Sequence, residues 1–519
     1  MTGPKGDITD RIWDVIVIGT GIGGGTIGRA LAEAGQSVLF VEAGPAGYRA
    51  EETRLDLAMG DPVARALRGF WPEPVAARID GRDRSVFAPL GRGVGGSSVF
   101  YAATLERPAV HDLDDLPGRP HPTGGWPVSA AQMAPWFDRA ATMYHLSGTP
   151  DPLDDRPAPA LAPPLPPTPA DAAIIARLQR GGLHPYQLHT ALRRLDGCAA
   201  CLGRKCPRPC KMDGRSAGVE PALATGRAAL LDHCEVTALR GEAGQITHAE
   251  ALLHGQPVTL RARRFVLAAG AFGSPRLLLA SRATHWPEGC ANASGLVGRN
   301  LMFHLNEMFA IWPGTRSAEP GKAVGLRDFY HVQGQRLGMV QAMGITAAYG
   351  EIAHFLRLRV AATRLHRLAG LTPLPAMVAA RLLGQAQILV GLLEDLPYAD
   401  NRVTYDAARP RRIAFDYRIH EELLARRKVF RRLIRRGFAG MRPLMLSWEP
   451  DLNLGHPCGT LRMGHDPATS VLDPDCRAHG IDNLHVVDAS FFPTAMGVNP
   501  SLTIAAMALR VAHGMTEGR

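Results

Sequence analysis

The strongest hydrophobic pattern in the chain lies near its start. Asp14 is followed by four apolar β-formers, Val15-Ile-Val-Ile18, and the run breaks at Gly19-Thr-Gly21-Ile-Gly-Gly24. A helix-like segment occupies 26–34, Gly35 marks its end, and a second apolar run, Val38-Leu-Phe-Val41, stops at an acid, Glu42. Strand, helix and strand in this order, with glycines at this spacing, form a βαβ unit that binds a dinucleotide. Gly19 permits the tight turn, Gly21 lets the backbone approach a pyrophosphate, and Gly24 lets helix and strand pack closely. The positive end of the helix faces the phosphates. Glu42 stands where a carboxylate accepts hydrogen bonds from ribose hydroxyls. The unit does not distinguish FAD from NAD.

Further along, strands are expected over 235–239 and 264–270. The second runs into Ala271-Phe-Gly-Ser-Pro275 and a helix over 276–280. A glycine-rich loop, Gly91-Arg-Gly-Val-Gly95-Gly96-Ser97-Ser98-Val-Phe100-Tyr101, offers backbone N–H groups and two hydroxyls to a flat or anionic ligand. Met133, Trp136, Phe137, Ala140 and Tyr144 recur at helical spacing. Residues 150–170 are rich in proline and read as an extended connector. Over 301–450, strand-like patches at 308–312, 337–345, 387–393, 402–405 and 412–417 alternate with charged helices, among them a basic one at 422–438. A helix over 505–513 closes the chain.

A chain of 519 residues is too long for one small core, so two domains or interleaved lobes are expected. The net charge of +10 raises a nucleic-acid reading, but the arginines are dispersed and no aromatic-plus-basic recognition motif is present. No secretory leader pattern and no bilayer-length apolar run is found, and the cytoplasm is the expected location. Segment 355–383, rich in Leu, Ala and Arg, has the composition of a membrane-surface helix. Pro373 and Pro375 interrupt it, and we read it as a helix capping the substrate lobe, which makes membrane contact a minor expectation. Four of the eight cysteines fall in Cys198-x-x-Cys201-x4-Cys206-Pro-x-x-Cys210. Thiols this close form disulfides, bind zinc, hold an iron–sulfur cluster, or pack as a metal-free knot. A cytoplasmic setting weighs against disulfides, and the compact run against zinc.

The C-terminal stretch reads Gly455-His456-Pro-Cys-Gly459-Thr460, then Asp488-Ala-Ser, then Gly497-Val-Asn499-Pro500-Ser-Leu-Thr. With the N-terminal glycine turn, the Gly95–Ser98 loop and the 267–275 strand-turn, it resembles the glucose–methanol–choline (GMC) family of flavin oxidoreductases over about 14–511. The resemblance implies an α/β fold: a Rossmann-like FAD-binding domain (1–110, 190–300 and 451–519) interleaved with an α+β substrate-binding or cap domain (111–189 and 301–450) that contains an antiparallel sheet. It implies FAD at Gly19, Gly21, Gly24 and Glu42, adenine beside the Val236 backbone, and the isoalloxazine along Gly95, Gly96, Ser97 and Ser98. Asp488 is implied at the ribityl chain or pyrophosphate. His456 matches the family's catalytic histidine, and Asn499 its partner, which is His in some branches. Tyr101 stands where many relatives have Asn. Branches with covalent FAD carry His where this chain has Phe100, so a non-covalent cofactor is expected. Some sugar-oxidising relatives carry an iron–sulfur cluster on cysteines here, and Cys206 and Cys210 look like theirs.

The implied reaction agrees with elementary chemistry. Oxidising an alcohol removes a hydride from carbon and a proton from oxygen. Flavin takes the hydride, a neutral imidazole the proton, and an amide orients the oxygen. His304 and His485 lack such a motif and are read as structural. The expected substrate is a sugar, glycoside or polyol, with a long aliphatic alcohol or sterol as the alternative, and a silent flavin-binding protein as the competing class. Oxygen, a quinone or a cytochrome is the electron acceptor.

Overall fold

The computed structural model describes residues 5–47, 61–196, 198, 200–315, 317, 321–344, 349, 352–353, 356, 360, 366–384 and 386–518. Its largest sheet has seven strands. These are β1 (Ile12–Ile18), β2 (Val38–Val41), β3 (Ala228–Leu231), β4 (Cys234–Glu242), β5 (Gln245–Leu253), β6 (Gln256–Leu267) and β7 (Leu484–Val486). Five run parallel in the order β3-β2-β1-β6-β7. Strands buried on both faces read as unbroken apolar runs, and Val15, Ile16, Val17, Val38, Leu39 and Phe40 are all fully buried. Strand β6 has two characters. Its polar first half pairs antiparallel with β5, and its apolar end, Phe265-Val-Leu267, lies between β1 and β7.

Helix α1 (Ile22–Glu33) follows the glycine turn, α2 (Gly270–Ala280) begins where β6 ends, and α3 (Ser501–Thr516) packs on α1. The side chain of Asp14 accepts from the Ser37 N–H (2.9 Å) and hydroxyl (2.7 Å), fixing the register at which β1 and β2 start. Helix α2 starts at Gly270, earlier than the sequence pattern places it, because the expected strand ends at Leu267.

The second sheet has six strands, all antiparallel: Leu444–Met445, His304–Ile311, Gln387–Glu394, Val340–Ala342, Val324–Leu326 and Tyr186–Gln187 in spatial order. The Glu421–Gly437 helix lays Phe430 and Ile434 against Gly391 of this sheet. A third sheet pairs Arg402–Thr404 and Ala414–Tyr417 with a hairpin, Val75–Ile79 and Arg82–Val86. The hairpin is invisible to the hydrophobic pattern because its outer strand is charged and exposed.

One expected element differs. Within 355–383 the described part comprises Leu356 and Val360, both helical, a 3-10 turn, His366–Leu371, and a helix, Pro373–Leu383. The two prolines start this helix rather than interrupt it, since first-turn residues have no intrahelical N–H bond to lose. Residues 354–355, 357–359 and 361–365 lie outside the described set, as does Ile345 at the end of the expected 337–345 strand.

Candidate active site

A cavity of about 950 Å³ runs from the glycine turn to the second sheet. At one end the first βαβ unit supplies Gly19, Gly21, Glu42 and their neighbours. Gly19 has φ +96°, and a Cβ there would meet the Ala268 carbonyl oxygen at 2.4 Å. A Cβ on Gly24 would lie 2.0 Å from the Gly19 oxygen, whereas one on Gly21 would meet nothing within 4 Å and would project into the open space a pyrophosphate needs. Thus the three glycines separate into turn, approach and packing positions.

Glu42 is buried, and burial raises its pKa despite the hydrogen bonds it accepts. Thr20 Oγ1 donates to its Oε2 at 2.6 Å, and the Gly44 N–H to its Oε1 at 3.1 Å. Val236 lines the same end, on β4 where the pairing with β5 shifts register.

The glycine-rich loop closes one wall. Gly96, Ser97, Ser98, Phe100 and Tyr101 face the cavity, while Gly95 lies behind it and donates its N–H to Thr20 Oγ1 at 3.1 Å. Both serine hydroxyls hold the loop itself. Ser97 accepts from the Gly91 N–H (2.9 Å), and Ser98 donates to the Gly95 carbonyl (2.5 Å) while accepting from Gly214 N–H (2.9 Å). Asp488 is similarly committed, to Gly270 N–H (2.9 Å), the Ser274 hydroxyl (2.5 Å) and both donors of Ser490. It joins the start of α2 to the C-terminal segment.

The chemistry-bearing end is built by a strap between two distant segments. Met302 and Cys458 exchange backbone hydrogen bonds of 2.9 and 3.0 Å, and the Asn453 N–H donates to the His304 carbonyl at 2.8 Å. This strap sets His456 against His304, with 3.2 Å between their Nδ1 atoms. His304 Nε2 lies 2.9 Å from the Met496 carbonyl. A carbonyl only accepts, so Nε2 carries the proton of His304. Burial pulls this ring down to about 4, so at neutral pH its Nδ1 is a bare lone pair. His456 Nδ1 is then the donor, and its Nε2 holds the lone pair. Burial, and then the adjacent His304, keep His456 well below the ordinary 6.5, so it is neutral and able to take a proton. The Asn453 Nδ2 amide, whose oxygen is engaged by the Gly455 N–H, lies 3.2 Å from the same nitrogen and is itself a donor, so it competes with His304 over the tautomer of His456.

Asn499 lines the cavity with His456, and its Oδ1 is buried without a partner in the chain. Its loop is held by Gly497, which receives the Met339 N–H on its carbonyl (3.0 Å) and gives its own N–H to the Tyr330 hydroxyl (3.1 Å). Beyond this pair the wall turns to Thr104, Asn306, Lys322 and Gln341, with Met308 and Met343 as its apolar part.

The four clustered cysteines form a small buried knot next to the glycine-rich loop. They stand as two pairs, with the Cys201 thiol donating to Cys206 and the Cys210 thiol to Cys198. Among the described residues no three His, Cys, Asp or Glu side chains are grouped to hold a metal ion. The arrangement therefore adds no support to the iron–sulfur expectation for Cys198, Cys201, Cys206 and Cys210. Instead Lys211, fully buried, ties the knot to the cavity wall. Its Nζ donates to the carbonyls of Val99 (2.8 Å) and Tyr101 (3.4 Å) on one side, and of Cys201 (3.0 Å) and Arg204 (2.5 Å) on the other.

Sequence reasoning missed His304, Thr20 and Lys211. The apolar Leu301-Met-Phe303 run before His304 predicts burial, and a buried histidine needs a partner. Nothing in the pattern names His456 as that partner.

Models of the GMC oxidoreductase family match residues 14–306 and 397–508. The 6'''-hydroxyparomomycin C oxidase of Streptomyces lividus is 29% identical, over 98% of this chain and 92% of its own. The 2-methyl-1,2-propanediol dehydrogenase of Mycolicibacterium austroafricanum is 28% identical, over 96% and 94%. Among solved structures, pyridoxine 4-oxidase from Mesorbium loti superposes with a TM-score of 0.61 at 19% identity, covering 96% of this chain and 98% of that one. A formate oxidase variant from Aspergillus oryzae RIB40 gives 0.67 at 16% identity, covering 98% of each.

Proposed function

Since this chain belongs to the GMC oxidoreductase family, whose members here are FAD-dependent enzymes acting on CH–OH groups, we propose that it oxidises a hydroxyl-bearing carbon of a neutral polyol, sugar or glycoside, with FAD held non-covalently. Gly19, Gly21 and Gly24 would hold the pyrophosphate, Glu42 the ribose and Val236 the adenine. Gly96 to Ser98 would face the flavin ring, braced by Gly95, with Asp488 near the ribityl chain. When bound, the flavin accepts hydride.

His456 Nε2 takes the hydroxyl proton, because it is the nitrogen that His304 leaves free. The Asn499 amide holds the alcohol oxygen so that its carbon presents the C–H bond in one direction. The cavity walls exclude bulk water from this pair, which keeps the imidazole neutral, with its lone pair free for the hydroxyl proton.

The observation that carries the substrate class is the wall beyond that pair. Thr104 Oγ1 and Gln341 Oε1 are buried there with no partner in the chain. Unpaired buried oxygens are costly unless a ligand donates to them, and a molecule with several hydroxyls supplies donors at several points. Lys322 distinguishes among such molecules. It donates to the Ala342 carbonyl at 3.0 Å, and burial pulls it down to about 7. A second ammonium beside it would repel and push it lower still. This favours a neutral polyol over the aminoglycosides named for two relatives.

Anaerobic titration of the yellow holoenzyme tests the reading. Neutral polyols and hexoses should bleach the flavin, and amino sugars should do so only at much higher concentration. Bleaching by long-chain alcohols alone would reassign the substrate, and bleaching by no alcohol would return the protein to the non-catalytic flavoproteins.

A further inference from the structure

The Pro373–Leu383 helix is inside out. In a helix on a globular protein the large apolar residues face the core and the small or polar ones face water. Here Thr372 and Ala376 are buried, and Ala379 and Ala380 are half-buried. Leu371, Leu374, Val378 and Leu382, one stripe at spacings of three and four residues, are 59–69% exposed. Isolated exposed leucines are ordinary, but a contiguous stripe with its small residues turned inward marks a surface that another apolar phase covers.

Charge identifies that phase. The sequence holds no Asp or Glu from 352 to 393, but it holds Arg357, Arg359, Arg364, Arg367 and Arg381. Arg367 and Arg381 are exposed beside the stripe. A second copy of this chain would bring two basic, acid-free faces together, which is unfavourable. An anionic lipid surface offers both things the face lacks, apolar depth and negative charge. Trp448, 82% exposed, follows Leu446, which packs with Leu383 in one small cluster. An indole there suits the headgroup level of a bilayer. No described helix is long and apolar enough to cross a membrane, so the contact is with the surface.

We infer that the Pro373–Leu383 helix docks this enzyme on the surface of an anionic lipid bilayer through Leu371, Leu374, Val378 and Leu382, with Arg367 and Arg381 on the headgroups. The consequence for the site is direct. Leu383, at the base of the helix, packs on the same small cluster (Ala310, Ala386 and Ile388) as Met308 and Met343, which form the apolar wall of the cavity. Docking therefore brings the cavity to the bilayer side of the molecule.

The test is co-sedimentation of the FAD-loaded enzyme with vesicles of phosphatidylcholine alone, or of equimolar phosphatidylcholine and phosphatidylglycerol. The wild type should pellet with the second and not the first, and less so at high salt. The variant Leu374→Glu/Val378→Glu/Leu382→Glu should stay in the supernatant while keeping its flavin and its turnover with a soluble dye. The double variant Arg367→Gln/Arg381→Gln, which leaves the apolar stripe intact, should bind about fivefold more weakly for each arginine removed. Pelleting with neither vesicle, or undiminished binding by both variants, overturns the inference. A solution dimer that the triple variant splits, with no vesicle binding, assigns the face to a second copy and overturns it equally.

Discussion

The rings of His304 and His456 meet edge to face, with their planes at 81° and their Nδ1 atoms 3.2 Å apart. In this contact His304 Nδ1 can only accept, so His456 Nδ1 donates wherever the two rings are hydrogen-bonded. The tautomer of His456 is thus biased from a strand on the second sheet, about 150 residues away along the chain.

Replacing His304 should misplace His456 without emptying the cavity. His304→Gln is expected to retain FAD and lose about 10²-fold in kcat. The acid limb of kcat/KM should move to higher pH, because His304 is one of the influences that lower His456. A lower rate with an unmoved pH profile would reduce His304 to a packing residue.

His456 itself should cost more. His456→Ala is expected to keep its flavin and lose about 10²–10⁴-fold in turnover, the usual cost of a missing general base. Asn499→Ala should lose less, since part of the alignment comes from the rest of the wall. Rapid-reaction flavin reduction under anaerobic conditions separates the two, and near-normal reduction in His456→Ala would show the base to be elsewhere.

The cofactor should leave the polypeptide intact. Where the family resemblance implies the histidine of covalent branches this chain has Phe100, which stacks on Phe70 with 3.6 Å between ring centres. Acid precipitation should release free FAD into the supernatant. Yellow colour that stays with the pellet would contradict this.

Acid should unfold the protein through its buried histidines. Burial holds both His304 and His485 at about 4, against 6.5 when exposed. Between those values the unfolded chain binds protons that the folded chain refuses, so stability falls as pH drops through this window and is fully present above it. Each ring contributes about 3 kcal/mol across the window. Urea midpoints measured stepwise from neutral pH down to about pH 4 should decline steadily, and a flat profile would remove these rings from the account.

The thiol pairs can be read chemically. Diamide should link Cys201 to Cys206 and Cys198 to Cys210, visible by peptide mapping, and protein purified without air should contain FAD but no iron or acid-labile sulfide. Burial raises the Cys206 thiol, but the N–H groups of Lys211, Arg208 and Cys210 outweigh it and bring it down, making Cys206 the more reactive member of its pair. Co-purification of stoichiometric iron and sulfide would mean that all four thiols regroup around a metal.

What could be read from the sequence divides along physical lines. The βαβ unit is visible because each part is local: an apolar run, three glycines and an acid lie within thirty residues and fold on one another. Asn499 and His456 are visible only through their motifs, since the cavity that unites them is built by Gly497 against Tyr330 and by Met302 against Cys458. His304 is invisible because its role depends on a partner 152 positions away. The Val75–Val86 hairpin is hidden by a charged strand at a sheet edge, where no core face imposes alternation. The helix at 373–383 is the opposite case: its leucines follow the periodicity of a buried face, but Leu374 and Leu382 are exposed, and periodicity alone does not say which phase lies outside it.

The parallel order β3-β2-β1-β6-β7 also has a consequence for biosynthesis. Strand β1 ends at residue 18, yet its neighbour β6 begins at residue 256 and β7, beyond that, at 484, so both are synthesised long after it. Helix α3, which covers α1, is made later still. Long-range pairings of this kind form late. A nascent chain halted before residue 484 therefore exposes both faces of an incomplete nucleotide sheet and carries no Asn499. Completion of the sheet has to wait for β7, and until then the early apolar strands are substrates for chaperones.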